Sequence, residues 1–304
     1  MQTLLSAVRW LLTCYRLPAV VALMMLSMVS TTSSAQTALT TAVDLSITDA
    51  ATSTKLDLIL TGKQRSQTSR DRDIYQHPKA TLEFFGLRET MTVMEIWPDK
   101  AGWWAEILAP LLKARGRYIA AQWDPKSEQP FYQDTSKGFQ AKLAADPASY
   151  SKVHLVALQP PGALAPVPAN SVDLVLSLRK LHNWLVTPDT ARAMLSAIYL
   201  SLKPGGILGL EDNRATPSRS ADSQLKLGYV DENAAIELVR SVGFEYLGSS
   251  EINANPSDTK DYDQGVWALP PTLRLGDKDR DRYLGIGESD RFTLRFRKPT
   301  GSTH

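Results

Sequence analysis

From residue 91 onward, short apolar runs alternate with stretches of helical periodicity, and no other feature narrows the possible folds as much. The first five runs lie at 91–97, 117–122, 153–158, 172–178 and 207–210. They show little polar–apolar alternation, which is the mark of strands buried on both faces, as in a parallel sheet sandwiched between helices. Helical spacing occupies 102–113, where Trp103, Ile107, Leu108, Leu111 and Leu112 recur and Pro110 interrupts the pattern near its end, and again 189–202 and 231–242. Lys203-Pro204-Gly205-Gly206 separates the second of these helices from the fifth strand. Two further strands, 244–249 and 292–296, have no helix between them, which argues for an antiparallel edge. The expectation is an α/β protein with a doubly wound, mostly parallel seven-stranded sheet, right-handed crossovers and one core.

The N-terminus has a different character. Arg9 and Arg16 precede an apolar run at 17–29, and small residues follow up to Ser33-Ser34-Ala35. A basic flank, an apolar centre and small side chains that fit a peptidase cleft read as a secretory signal cleaved after Ala35. The 13-residue run falls short of the roughly 20 residues a spanning helix needs, so no stable membrane insertion is expected after cleavage. The expected location is outside the cytosol, the periplasm in a Gram-negative cell. The domain reading is then 1–35 signal, 36–72 a lead-in rich in Thr, Ser, Asp and Ala with a weakly apolar stretch at 56–60, 73–299 the α/β domain and 300–304 a tail.

The single cysteine, Cys14, falls in the signal, so the processed chain has no disulfide, no thiolate nucleophile and no Cys-built metal site. Thirty-four Lys and Arg against 32 Asp and Glu leave no global field to hold nucleic acid. The four histidines lack ligand spacing, and Asp258 and Asp261 in the segment 253–261 lack the spacing and glycine of a calcium loop, so Asx turns are expected there and no metal is called for.

In an open parallel sheet, ligands bind beyond the carboxyl ends of the strands. Polar residues gather at those ends: Glu95 to Gly102 after the first strand, Asp124 after the second, Arg179 to Trp184 after the fourth and Glu211 to Arg214 after the fifth. Glu95 reads equally as a ligand contact or a helix cap. Asp124, before Pro125, also suits a turn. Trp97, Trp103 and Trp104 read as core and wall, with one facing a pocket. His182 is the candidate acid–base group near neutral pH, with Asn183 and Asp212 beside it. Asp212 and Arg214 either hold substrate or pair with each other. Glu288, Ser289, Asp290 and Arg291 read as an ion-pair network closing the fold.

Several stretches carry a resemblance: 77–86, 91–98 with Glu95-Ile96-Trp97-Pro98, 103–110 with Trp103-Trp104-Ala105-Glu106-Ile107-Leu108, 202–206, 253–261, 265–271 and 286–291. Over residues 72 to 299 the chain resembles the class I S-adenosylmethionine-dependent methyltransferases, and more closely an exported branch of them. The resemblance implies a Rossmann-like methyltransferase fold and S-adenosylmethionine as cofactor. The cofactor is then expected over the first loop, at Glu95, Trp97, Asp99 and Gly102, with Asp124 taking the ribose hydroxyls. An unknown methyl acceptor is expected near His182, Asn183 and Asp212. The loop departs from the family, which usually has several glycines where this chain has Asp99, Lys100 and Ala101 and keeps only Gly102. Either the loop takes a wider path, or cofactor binding is weakened or lost. Two functional readings follow: a methyltransferase, or an exported non-catalytic binding protein on the same scaffold.

Overall fold

Residues 48–301 are described by a computed structural model. The expected signal segment and its expected cleavage after Ala35 fall outside the described residues. No described helix is long and apolar enough to cross a membrane.

Seven strands form one sheet: β1 Thr92–Ile96, β2 Arg117–Gln122, β3 His154–Ala157, β4 Val172–Leu178, β5 Leu202–Asn213, β6 Glu245–Ser250 and β7 Arg291–Arg297. Their order is β3-β2-β1-β4-β5-β7-β6. The five strands β1 to β5 run parallel, and β7 is antiparallel to both β5 and β6. This is the mostly parallel sheet with an antiparallel edge that the alternation of elements implies. The fifth strand is longer than its apolar run at both ends: Leu202 pairs with Val172 of β4, which takes Lys203-Pro204-Gly205-Gly206 into the strand instead of leaving it as a separator, and β7 pairs with it from Ile207–Arg297 to Asn213–Arg291. That pairing draws the polar residues Glu211, Asp212 and Asn213 into the ladder.

Strand geometry sends successive side chains to opposite faces, and the two cores divide accordingly. Val93, Tyr118, Ala120, Leu174 and Leu176 point to one face, under the helices Ala50–Leu60, Pro78–Phe84 and Ala105–Leu112. Met94, Ile96, Ile119, Ala121 and Val175 point to the other, under Pro188–Ser201 and Glu232–Ser241, which contribute Met194, Leu195, Ile198 and Val239. Residues before 73 take part in this packing. The helix Ala50–Leu60, capped by Asp49 accepting from the Thr52 amide at 2.8 Å, buries Leu56 and Ile59 in the first core. Gly209 is required by the same core: a Cβ there would come within 2.7 Å of the Phe85 ring.

Candidate functional site

β1 and β4 are neighbours, but β1 connects on to β2 and β4 to β5, in opposite directions across the sheet. The crevice above their carboxyl ends is therefore the switch point where doubly wound sheets take their ligands.

The loop after β1 opens with Trp97 in the left-handed region at φ +49, a conformation that costs a non-glycine residue about 1–3 kcal/mol. Two hydrogen bonds hold it, from the Trp97 amide to the Ala121 carbonyl and from the indole Nε1 to the Leu158 carbonyl, both 2.7 Å. The indole stacks on Trp123 at 3.5 Å, and Trp123 stacks on Tyr132 at 3.9 Å. Asp99 closes the loop by accepting from the Gly102 amide at 2.7 Å. Gly102, at φ +59, faces the helix Pro130–Ala145, where a Cβ would meet the Phe139 ring at 2.8 Å. Its glycine is thus required by packing, and it does not line the cleft.

The aromatic stack walls a cleft of about 560 Å³, bounded also by Phe131, Gln159, Asp99, Lys180 and Asn183. Asp99 and Lys180 are shared with a slot leading inward past Arg72, Gln76 and Arg179 to Glu95, whose free volume is only about 10 Å³. Burial pushes the Glu95 carboxyl up to about 7 against the hydrogen bond it accepts from the Tyr118 hydroxyl at 2.5 Å, and Asp99 adds to the rise. Lys180 is held below the ordinary lysine range by burial. Arg179, beside it, is another left-handed non-glycine residue, at φ +58, pinned by its amide to the Glu211 carbonyl at 2.7 Å. Strained backbone on both strand ends thus aims two acids and two cations into one crevice.

A second arrangement lies beyond the carboxyl ends of β4 and β5. Asp212, fully buried, accepts from the His182 amide at 3.0 Å and the Asn213 amide at 2.8 Å, and meets His182 Nδ1 at 2.8 Å. A carboxylate at Nδ1 assigns the proton there and leaves Nε2 as the acceptor. The His182 ring stands edge-on to Trp267 at 6.3 Å.

The site residues read from the sequence thus separate. Trp97, Asp99 and Asn183 line the cleft, Glu95 lies in the slot joined to it, and His182 and Asp212 form a pair. Asp124 stands outside the lining, its carboxylate accepting from the Lys126 amide at 2.8 Å in a turn. Arg214 pairs with Glu232 and Glu251 rather than with Asp212. Trp123 and Tyr132 are cleft residues that sequence reasoning does not single out, whereas Lys180 lies in the polar stretch it marks after the fourth strand. Trp123 immediately precedes Asp124 at a strand end and was within reach of that rule. Tyr132 sits on a helix with almost no apolar stripe, of which only Thr135, Ser136 and Phe139 are buried.

The expected network before the last strand is present. Arg291 meets Glu211 at 2.9 Å and Glu288 at 3.0 Å, and Arg72 meets Glu288 at 2.6 Å. Burial alone would raise Glu288, but Arg179, Arg72 and Arg291 outweigh it and hold the carboxyl at about 2. Asx turns organise the segment 253–261: Asn255 accepts from the Ser257 amide and Asp258 from the Lys260 amide.

No protein-family model and no curated protein matches the sequence. Solved structures do. The [4+2]-cyclase SpnF superposes with a TM-score of 0.52 at 16% identity, over 79% of this chain and 86% of its own. A SAM-dependent methyltransferase from Aquifex aeolicus gives 0.51 at 14% identity, over 81% and 98%. The chain has the class I methyltransferase fold. Identities this low show the scaffold alone, and these two structures, a cyclase and a methyltransferase by description, use it for different reactions.

Proposed function

We propose that this chain is an exported S-adenosylmethionine-dependent methyltransferase. The observation that carries the proposal is the crevice at the β1–β4 switch point, where Glu95 and Asp99 share a slot with Arg179 and Lys180 and the slot opens into an aromatic cleft. The cofactor is an amino-acid zwitterion joined through a sulfonium to a planar base, and this donor set matches it part by part. The acids suit the ammonium, the cations suit the carboxylate, and the stacked rings suit the base and the neighbouring positive charge. The cleft also falls within the roughly 300–1,000 Å³ of ligand pockets. The slot holds scarcely one water, so the long side chains of Lys180 and Arg72 must swing aside to admit the amino-acid end.

When bound, the cofactor supplies a methyl group already activated by positive charge. The remaining work belongs to the chain: Glu95 ionises beside an ammonium, the aromatic walls exclude water, and His182 accepts a proton from the methyl acceptor at Nε2. Asp212 fixes the orientation and tautomer of the imidazole. The closed slot favours one second reading, a non-catalytic protein that binds a planar ligand in the cleft alone.

Calorimetric titration with S-adenosylmethionine and S-adenosylhomocysteine separates the two. Micromolar binding that Glu95→Gln and Trp97→Ala each weaken supports the methyltransferase. No binding at millimolar ligand removes it and leaves the second reading. Export is checked separately: the intact mass of the protein recovered from its host should correspond to a chain starting at Gln36.

A further inference from the structure

The near balance of charge over the whole chain does not extend to every surface. At the end of the sheet opposite the cleft, where β2 and β3 begin, a pocket of about 350 Å³ is lined by Lys113, Arg115, Arg117, Lys152 and His154 together with Ser149 and Ser151. No carboxylate lines it.

The partners of these cations leave the charge largely uncompensated. Lys113 Nζ donates to the Ala148 carbonyl, and Lys152 Nζ to the Lys113 carbonyl at 3.1 Å. Carbonyls at helix ends attract ammonium groups through the helix dipole, which accounts for these two lysines. It does not account for the arginines. The Arg117 guanidinium meets the His154 ring at Nδ1, 3.2 Å away, so a cation faces an imidazole. Arg115 alone has a carboxylate, Glu89 at 2.8 Å, and Lys55 shares that same group at 2.7 Å. Asp146, whose carboxyl is lowered chiefly by the Ser149 hydroxyl and amide and least by Lys113, is already committed to Ser149. Burial first, and then Arg117, hold the His154 ring below the ordinary imidazole range.

We propose that this pocket binds a phosphate-bearing anion. Two guanidinium groups offer paired donors in the geometry phosphate oxygens accept, two ammonium groups add point charge, and the volume admits a diphosphate or a phosphorylated headgroup. The site shares no residue with the cleft and stands or falls apart from the proposed function.

The test is calorimetric titration of the protein with pyrophosphate, alongside co-sedimentation with vesicles of phosphatidylglycerol in phosphatidylcholine. Saturable pyrophosphate binding is expected, steeply weakened by salt, and reduced about tenfold or more in the Arg117→Gln, Lys152→Gln double variant. Lys126→Gln, which removes a charge beyond the far end of β2, should leave it unchanged. If the double variant fails to fold by circular dichroism, Arg117→Gln alone should still weaken binding. Binding in both arms assigns a lipid headgroup as the source of the phosphate, and pyrophosphate binding alone assigns a soluble phosphate compound. Vesicle binding without saturable pyrophosphate binding, or an equal loss in Lys126→Gln, overturns the proposal.

Discussion

Replacing Glu95 by Gln should make the protein more stable at neutral and alkaline pH and leave it nearly unchanged in mild acid. Glu95 is 4% exposed, and its carboxyl titrates at about 7 in place of the ordinary 4.5, with burial the largest cause. Between those two values the folded protein holds a proton that the unfolded chain has released. Stability therefore falls as pH rises through that window, and the full penalty stands above it. At 1.36 kcal/mol per unit, the displacement corresponds to roughly 3 kcal/mol. Gln cannot ionise, yet its amide oxygen still accepts from the Tyr118 hydroxyl. Urea unfolding of both proteins from pH 4.5 to 8 should give free energies that agree within about 1 kcal/mol at the acid end and diverge by roughly 3 kcal/mol at the other. Parallel curves, or a variant weaker at pH 8, would refute the reasoning, because either result means that Glu95 ionises in the fold without penalty. Saturating S-adenosylhomocysteine adds a second readout: an ammonium beside Glu95 favours the ionised form, so it should narrow the gap at pH 8.

Glu288→Ala strips the counter-charge from Arg72, Arg179 and Arg291 and should cost about 3–5 kcal/mol by denaturant titration. Because the folded carboxyl sits at about 2, Glu288→Gln should also flatten the loss of stability that the parent protein shows as pH falls from 4.5 toward 2. Asp212→Ala removes the acceptor that fixes the proton on His182 Nδ1. The ring-nitrogen NMR shifts of His182 should move from a single tautomer toward a mixture, and an unchanged tautomer would take Asp212 out of that role.

The fold was readable because its signal is local and repeated. The runs at 117–122 and 172–178 coincide with β2 and β4, since a strand buried on both faces leaves an unbroken apolar run. What escaped is decided by pairing. The extension of β5 through Asn213 depends on a strand nearly eighty residues downstream, and nothing within the run announces it. The site divides in the same way. Strand ends are locatable, so Glu95, Trp97, Asp99 and His182 were within reach. The stacking of Trp97 on Trp123 and of Trp123 on Tyr132 joins three elements, and only the assembled loops bring those rings into register. Gly102 shows the converse: a glycine in the expected place serves packing against Phe139.

The position of β7 has a consequence for synthesis of the chain. It is the last strand to be made, yet it is inserted between β5 and β6. Until Arg291–Arg297 emerges and joins the sheet, β5 presents a bare edge, β6 has nothing to pair with, and Glu211 lacks the guanidinium of Arg291. Vectorial folding therefore cannot finish from the N-terminus. A chain halted before residue 291 would display an open strand edge, a template for pairing with other chains, and its last strand acts as the lock that ends that exposure.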